Sequence, residues 1–342
     1  MNLKELSEAL GLSPTTVSRA LNGYPEVNDL TRSRVVEAAK RHGYVPNSMA
    51  KRLATGRAMT IGHVVPISEH DMINPIFAEF IAGAGEIYSE VGYNMLLRIV
   101  PQSAEEESYR AIAAANSVDG LVVHAPRRND PRIQLLTEMG MTFIAHGRGD
   151  TETDYSWLDI NNRRSFARAT EYLIELGHRR IALLNGLETM LFAWRRRRGY
   201  EEALTGAGIA LDQELMFSAE MTEPFGYHAA RAALREPSPP TAFLASSMTI
   251  GIGAHRAITE QGLRMGHDVS VIIHDDALSF MPNYGDVPLF TSATSSIRAA
   301  GKRLAELLIE MIEGRITDPV AELWETEMIL GSSTGPAPES TS

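Results

Sequence analysis

The residues whose types and spacing could do chemistry lie close to the start of the chain. Five of them have polar or basic side chains that can form hydrogen bonds: Thr15, Thr16, Ser18, Arg19 and Asn22. They surround Val17, Ala20 and Leu21, which a helix would place on one buried stripe. The polar side chains then face outward, and such a surface can read the edges of DNA bases.

Helix signals surround this polar stretch. Ser13 precedes Pro14, a pair typical of a helix start, because a side-chain oxygen caps the first turn and proline has no N–H to leave unpaired there. Asn2 and Glu5 match a capping box, which predicts an earlier helix. Two short helices joined by a turn are therefore expected at the start of the chain.

A third helix is expected over residues 31–43, with Val35, Val36 and Ala39 buried. Three small helices in this order form a helix-turn-helix unit, whose second helix lies in the DNA major groove. Residues 1–57 contain nine lysines and arginines against five acids, whereas the whole chain has a net charge of −11. This local basic face suits phosphate binding. The alternative interpretation is a helical hairpin at the start of an enzyme, with a basic face that contacts only solvent.

The segment that follows can form only a short helix. It leaves the third helix at Pro46, restarts at Asn47 and closes at Gly56 after barely two turns. A helix of that length is marginal in water without a partner. Apolar side chains on one side need an apolar partner, and Lys51 and Arg52 on the other side need a phosphate partner. We therefore interpret the segment as a hinge that folds on DNA.

Four motifs resemble, in order and spacing, the DNA-binding domain and hinge of the lactose-repressor (LacI/GalR) family of bacterial transcription regulators. They lie at residues 17–22, 31–35, 43–47 and 50–53. The resemblance implies that Pro14, Thr15 and Arg19 meet base edges in the major groove. It also implies that Leu53 wedges into the minor groove and kinks the duplex. The full set of expected DNA contacts is Pro14, Thr15, Thr16, Ser18, Arg19, Asn22, Asn47, Ala50, Arg52 and Leu53.

The composition limits what the rest of the chain can be. With 342 residues, 44% of them hydrophobic, the chain can form two or three units with substantial cores. It contains no cysteine, which excludes disulfides, thiolate nucleophiles and cysteine-based metal sites. There is no signal sequence at the start and no apolar run near the ~18 residues of a membrane span. We therefore expect a cytoplasmic protein.

From Met59 onward, continuous apolar strands alternate with helices, which is typical of parallel sheets covered on both faces. Two such series follow each other, and two doubly wound halves leave a cleft at the carboxyl ends of their strands. The pattern resembles the type I periplasmic sugar-binding fold of the same family, in which the chain crosses over three times. The expected fold is an all-α helix-turn-helix headpiece followed by an α/β body of two doubly wound subdomains.

The expected domain boundaries follow from these patterns. Residues 1–46 form the DNA-binding domain, 47–57 the hinge helix, 58–331 the effector-binding and dimerisation body, and 332–342 a disordered tail. The first half of the body takes residues 58–158 and 291–316, and the second half takes 159–288 and 320–331. The tail is rich in Ser, Thr, Pro and Gly. It lacks the leucine heptads by which some members of the family tetramerise, so we expect a homodimer.

Candidate effector residues follow the strands or lie in one helix. Residues 195–198 are four arginines, and at about 100° per residue at least one must face inward. The spacing to Gly199 matches Arg196 to the family arginine that contacts the effector. Asp275 matches a family aspartate that accepts hydrogen bonds from sugar hydroxyls, and its alternative role is a cap or turn. The expected cleft residues are Asn74, Pro75, Phe77, His146, Phe192, Arg196, Ser246, Asp275 and Ser295.

The resemblance implies a carbohydrate as the effector. Ser246 stands where many members have Asn-Asp, and His146 stands where some have an acid, so the particular sugar stays open. The surroundings of Phe192 and Ser246 look similar to regulators of α-glucoside uptake, which favours an α-glucoside. The alternatives are a nucleobase or phosphorylated metabolite as effector, and a sugar carrier without DNA function. We expect no cofactor besides the effector, and no metal.

Enzymatic interpretations find little support in the sequence. It contains no phosphate-binding loop and no His-Glu-x-x-His motif. Asp275 and Asp276 follow a strand in which neighbouring side chains point to opposite faces, so they are poor acid/base partners. We expect a sequence-specific DNA-binding repressor of carbohydrate uptake or catabolism genes, controlled by a sugar and without catalytic activity.

Overall fold

The computed structural model describes residues 2–21, 24–44, 56–66, 75–151, 153–283 and 286–339. Two compact units divide between Met59 and Thr60. Most of the predicted hinge lies outside the described residues, and so do Asn22, Asn47, Ala50, Arg52, Leu53 and Asn74. None of the described helices is long and apolar enough to cross a membrane.

The first unit contains the three predicted short helices. They are α1 (Leu3–Leu10), α2 (Pro14–Leu21) and α3 (Asp29–Arg41). The first two have the predicted starts, whereas the third begins and ends two residues earlier than expected. Asn2 and Glu5 form the predicted capping box at the start of α1. The hydroxyl of Ser13 accepts a hydrogen bond from the Thr16 amide at 3.1 Å, so the predicted cap of α2 is also confirmed.

The core of this unit shows which face each helix buries. Val17 of α2 and Val35 of α3 are fully buried with Leu6 of α1. The expectation that Val36 is buried is wrong, since it is 38% exposed. Ala38 packs into the core instead, because it lies about one helical turn from Val35 on the same face of α3.

Two of the basic side chains in this unit stabilise its fold. Arg34 donates to the carbonyl oxygen of Leu10 at 2.8 Å and so ties α3 to the end of α1. Arg32 donates to the carbonyl oxygens of Tyr24 and Val27, at 2.9 and 3.0 Å, and fixes the loop before α3. These two cations are therefore engaged within the unit itself.

The second unit is an α/β body with two six-stranded sheets. Its elements up to the first crossover are β1 (Thr60–Pro66), α4 (Pro75–Val91), β2 (Asn94–Val100), α5 (Glu105–Ala114), β3 (Gly120–His124), α6 (Pro131–Glu138), β4 (Phe143–His146) and β5 (Ser156–Ile160). The next are α7 (Asn162–Glu175), β6 (Ile181–Asn185), α8 (Leu191–Gly206), β7 (Met216–Ser218), α9 (Glu223–Ala233), β8 (Ala242–Ala245), α10 (Met248–Glu260) and β9 (Ser270–Asp275). The last are β10 (Thr291–Thr294), α11 (Ile297–Ile312), β11 (Ala321–Trp324) and β12 (Glu327–Ile329).

Each sheet belongs to one doubly wound half of the body. The first sheet has the order β11-β5-β4-β3-β1-β2, and its neighbouring strands are parallel. The second has the order β12-β10-β9-β8-β6-β7, in which β12 is antiparallel to β10 and the other neighbours are parallel. Strands β8 and β9 are buried along their whole length, which explains their continuous apolar sequences. The predicted pair of doubly wound halves is confirmed.

The chain crosses between the halves three times, as expected, but the first strand of each returning segment lies in the opposite half from the one predicted. Residues 291–294 form β10, which pairs with β9 in the second sheet, and the helix after it, α11, packs on α4 of the first half. Residues 321–324 form β11 beside β5 in the first sheet, and the chain then returns to the second sheet as β12. Both misassigned strands are short and partly polar. Backbone pairing decides their sheet, and the side-chain pattern does not reveal it.

The prediction of a disordered tail is wrong as far as the described residues extend, to Glu339. Ser333 is fully buried, donates to the Val271 carbonyl oxygen at 2.5 Å and accepts from the Thr291 amide at 2.8 Å. The tail therefore packs along β9 and β10.

Residues 331–335 read Gly-Ser-Ser-Thr-Gly, the pattern of a hydrolase nucleophile elbow. The hydroxyl of Ser333 instead holds backbone groups together.

Helices α7 and α8 pack closely because a glycine lies at their crossing. A Cβ atom at Gly199 would overlap the backbone carbonyl oxygen of Arg163 on α7. A Cβ atom at Gly206, at the end of α8, would meet open space. The close approach brings the start of α7 beside Arg196 of α8.

Gly199→Ala should destabilise the body by about 1–3 kcal/mol, because the overlapping atoms belong to backbone and cannot rotate away. Gly206→Ala, on the same helix, is the matched control. It should leave the free energy of unfolding unchanged or raise it by up to about 1 kcal/mol, since alanine favours the helix. Chemical denaturation followed by circular dichroism measures both changes. Equal stability of the two variants would contradict the close packing of α7 and α8.

Candidate functional site

A cavity opens between the two halves of the body, at the carboxyl ends of their strands. Its empty space, counted with the open mouth, is about 960 Å³. Aromatic rings line it, among them Phe77, Phe80 and Phe192, together with charged side chains of both signs. Such a lining can hold a ligand that has both apolar faces and hydrogen-bonding groups.

Arg196 of α8 is a buried cation in the cavity wall. Its Nε donates to the side-chain oxygen of Asn162, and its Nη1 donates to the carbonyl oxygen of Ser246, both at 2.7 Å. The rings of Phe166 and Phe192 each have their centre 5.1 Å from the guanidinium carbon. Burial lowers the pKa of Arg196 to about 10, so the group stays charged at neutral pH. Its Nη2 forms no hydrogen bond with the described residues and can bind a ligand.

A second charged group at the cavity combines two cations with one carboxylate. Nη1 of Arg195 lies 3.3 Å from Oδ2 of Asp159, and Nε of Arg148 lies 3.7 Å from the same oxygen. Arg195 also donates to the carbonyl oxygens of Arg148 and Gly149, at 2.6 and 3.1 Å, which links α8 to the loop after β4. Burial raises the pKa of Asp159 to about 6, although both arginines act in the opposite direction. These two cations are thus engaged within the protein.

Ser295, His274 and Asp276 have the composition of a catalytic triad but not its arrangement. The Ser295 hydroxyl and the Asp276 carboxylate both lie 3.3 Å from the same ring nitrogen, Nε2 of His274. In a triad the two groups bond to opposite nitrogens, so that the ring can move a proton between steps. Nδ1 of His274 is buried and has no partner in the described part of the chain. The arrangement suits hydrogen bonding to a ligand better than proton transfer.

The structure brings five of the predicted effector residues to the cavity: Phe77, His146, Phe192, Arg196 and Ser295. Asn74 and the side chain of Pro75 lie outside the described residues. The sequence also allowed Phe192 to be a core residue. In the structure its ring lines the cavity and covers the guanidinium of Arg196.

Two predicted effector residues do not line the cavity. The carboxylate of Asp275 accepts a hydrogen bond from the Ala277 amide at 2.9 Å, which is the turn role that its sequence also allowed. Its neighbour Asp276 lines the cavity instead, because successive side chains at a strand end point to opposite sides. Ser246 donates its hydroxyl to Asn185 at 2.7 Å. Since its carbonyl oxygen accepts from Arg196, Ser246 supports the cavity wall from behind.

Several residues of the cavity were missed by sequence reasoning. They are His124, Arg148, Asp159, Asn162, Arg195, His274 and Asp276. One signal could have found some of them, because His124 ends β3, Asp159 lies near the end of β5 and Asp276 directly follows β9. Polar residues at the carboxyl ends of parallel strands meet at one edge of a sheet. Strand β5 was itself not predicted, which hid Asp159.

The outward face of α2 presents the predicted DNA contacts of the described headpiece. Pro14, Thr15 and Arg19 are exposed, whereas Thr16 and Ser18 are half-buried. The hydroxyl of Thr16 lies 2.8 Å from that of the N-cap serine, so it takes part in the helix cap. Arg19 is therefore the long cationic side chain that this face offers to a partner.

Two family descriptions match the two units of the chain. "Bacterial regulatory proteins, lacI family" matches residues 2–47, and "Periplasmic binding proteins and sugar binding domain of LacI family" matches residues 58–325. The HTH-type transcriptional regulator AglR of Rhizobium meliloti is 46% identical, over 99% of this chain and 96% of its own length. The HTH-type transcriptional regulator CelR of Thermobifida fusca is 34% identical, over 97% of each chain.

A solved structure shows the same similarity in three dimensions. It is described as the transcriptional regulator CelR–cellobiose complex and is 32% identical to this chain. The TM-score is 0.71, and the match covers 97% of this chain and 99% of the other. Sequence and fold thus agree over nearly the whole chain.

Proposed function

This chain belongs to the LacI family of bacterial regulatory proteins, and on that premise we propose a homodimeric repressor that binds operator DNA and responds to a sugar. The observation that carries the proposal is the buried, partly unpaired guanidinium of Arg196 in the cavity of a body that follows a helix-turn-helix unit. The relatives are transcriptional regulators, and we propose no reaction for the cavity.

The headpiece supports the DNA side of the proposal. Thr15 and Arg19 are exposed on α2, while Val17 anchors the helix in the core, so its polar face is free to enter a major groove. An arginine reads guanine through two parallel hydrogen bonds. Two half-sites one helical turn apart need two headpieces, which supports a homodimer on a pseudo-palindromic operator. A protein of this kind acts on the chromosome, in the bacterial cytoplasm.

Arg19→Ala should relax sequence specificity at one base pair in each half-site, because a base-edge contact of about 1–3 kcal/mol is lost. Selection of binding sites from a random duplex library, with wild type and variant, measures this change. Arg41→Ala removes an exposed cation of α3 and is the control, for which the selected sequence should stay the same. If Arg19→Ala weakened binding to operator and random DNA equally, α2 would not be the reading helix.

The cavity supports the sugar side of the proposal. Phe77 and Phe192 offer ring faces to the apolar face of a sugar. Arg196 offers donors, Asp276 offers acceptors and Ser295 offers both, which suits the hydroxyl groups of a carbohydrate. Hydrogen bonds to charged groups are also stronger than neutral ones, so these groups can hold a polar ligand against water.

A neutral sugar suits the charge of the cavity better than a phosphorylated one. Arg195 and Arg148 share Asp159, and Asp276 acts on the charge of Arg196, so one positive charge stays unbalanced among these groups. A phosphate monoester carries about two negative charges, which exceeds that balance. The relative CelR is described in complex with cellobiose, which favours a ligand of disaccharide size. The surroundings of Phe192 and Ser246 resemble those of regulators of α-glucoside uptake, so an α-glucoside such as maltose is the first candidate.

Contacts between the two halves offer a route from the sugar to the DNA. Leu191 donates its amide to the Pro126 carbonyl oxygen at 3.1 Å, and the Ser279 hydroxyl donates to Glu79 at 2.7 Å. A sugar that binds one arrangement of the halves more tightly shifts the population toward it. In a dimer, that shift changes the affinity for the operator.

Asp276→Asn should weaken maltose binding about tenfold to a hundredfold, because a charged acceptor for sugar hydroxyls is lost. Asp275→Asn is the matched control and should bind maltose as the wild type does, since Asp275 is engaged with the Ala277 amide. Isothermal titration calorimetry measures both affinities. Equal losses in the two variants would contradict the assignment of Asp276.

A thermal-shift screen should precede this titration, with maltose, cellobiose, adenine and a glucose phosphate as probes. A ligand that binds the folded state raises the unfolding temperature, and the rise grows with the ratio of the ligand concentration to its dissociation constant. Stabilisation by maltose or cellobiose is expected. Stabilisation by adenine alone or by the glucose phosphate alone would replace the sugar with one of the alternative effectors.

A further inference from the structure

Three polar side chains form a hydrogen-bonded chain that leads from the core of the first half to the cavity. The hydroxyl of Tyr88 on α4 lies 3.2 Å from Nε2 of His63 on β1. Nδ1 of His63 lies 3.0 Å from Nε2 of His124, which ends β3 and lines the cavity. Tyr88 is 2% exposed and His63 is 0% exposed. A buried polar group therefore contacts the cavity residue from behind.

The two imidazole rings meet in a geometry that suits a direct hydrogen bond. Their planes differ by 24° and their centres are 5.3 Å apart. The ring centres are farther apart than the two bonded nitrogens by about the width of one ring, which is one ring radius for each nitrogen. Both nitrogens therefore lie near the line that joins the ring centres. The rings of Phe77 and Phe80 contact His124 edge-on, with centres 4.9 and 5.0 Å away, and hold it in place.

Tyr88 sets the direction of this chain. Among the described residues, His63 is the acceptor for the Tyr88 hydroxyl. If His63 donated to the hydroxyl oxygen instead, the buried O–H of Tyr88 would have no acceptor, which is costly. The hydroxyl therefore donates to Nε2. Burial lowers the pKa of His63 to about 3, so His63 is neutral and carries its single proton on Nδ1. This N–H donates to Nε2 of His124.

The remaining nitrogen of His124, Nδ1, is the open end of the chain. Burial lowers the pKa of His124 well below its usual range, so this ring is also neutral, and its proton lies on Nδ1. Nδ1 forms no hydrogen bond with the described residues, and it does not belong to their buried unpaired atoms. It is therefore accessible from the cavity. Within the described ranges, no group of three or more His, Cys, Asp or Glu side chains is arranged to hold a metal ion.

We propose that Tyr88 and His63 are positioning residues that fix His124 as a hydrogen-bond donor, whose Nδ1–H binds an acceptor oxygen of the sugar. This inference rests on the proposed function and names a contact that determines specificity at the same site. In the opposite direction, His124 would present a bare nitrogen and would select a ligand hydrogen instead. The hydrogen-bonded chain of Tyr88, His63 and His124 therefore makes this point of the cavity select an oxygen lone pair.

The tautomers of the two histidines test the proposal in the ligand-free protein. Long-range proton–nitrogen correlation spectra of the full chain, labelled with nitrogen-15 histidine, show which ring nitrogen carries the proton. Spectra of His63→Gln and His124→Gln assign the signals. We expect both His63 and His124 to carry the proton on Nδ1. A proton on Nε2 of His124 would overturn the proposal.

Tyr88→Phe tests the positioning role. Without the hydroxyl, both tautomers of His63 should be populated, and maltose affinity should fall about threefold to tenfold. Tyr109→Phe is the matched control, because its buried hydroxyl belongs to the same half and bonds to neither histidine. It should change neither the tautomers nor the affinity. Unchanged tautomers in Tyr88→Phe would remove Tyr88 from the mechanism. If maltose fails to bind even the wild type, the proposed sugar is wrong, and the tautomers still decide the direction of the chain.

Discussion

The burial of one guanidinium group, that of Arg196, is the constraint on which the cavity depends. A buried cation is costly unless it is hydrogen-bonded and balanced by nearby charge. Asn162 at the start of α7 and the carbonyl oxygen of Ser246 at the end of β8 both accept from it, and two phenylalanine rings cover it. The arginine itself belongs to α8. The hydrogen bonds of the Arg196 guanidinium therefore fix how α7, α8 and β8 meet. They also fix the position of Nη2, which stays open to a ligand.

Other polar groups of the cavity are held in a similar way, each by a charged or hydrogen-bonded partner within the protein. Asp159 holds Arg195 and Arg148, and His63 holds His124. Groups that are already oriented lose little conformational freedom when a ligand arrives, so more of the interaction energy appears as affinity. Because Arg195 also bonds to the loop after β4, ligand recognition and the contact between the halves use the same helix, α8.

The sequence predicted local elements better than their long-range partners. Continuous apolar runs and helix caps are local signals, and they identified most helices and the central strands of both sheets. The sheet membership of β10 and β11, and the order around Ser333, depend on backbone partners far away in the chain. The resemblance to a family indicated Arg196, which lies in the cavity wall. It also indicated Asp275, whereas Asp276 lines the cavity, because a shift of one residue at a strand end reverses the face. His63 gave no signal, since its role arises from partners that only the fold brings together.

Control of operator binding by a sugar is the central claim, and a reciprocal titration tests it most directly. Fluorescence anisotropy gives the affinity of the wild-type protein for its selected operator with and without saturating maltose. Calorimetry gives the affinity for maltose with and without that operator. We predict that both affinities change by the same factor, because the coupling free energy between two binding sites is reciprocal. Maltose binding that leaves the operator affinity unchanged would contradict control by the sugar.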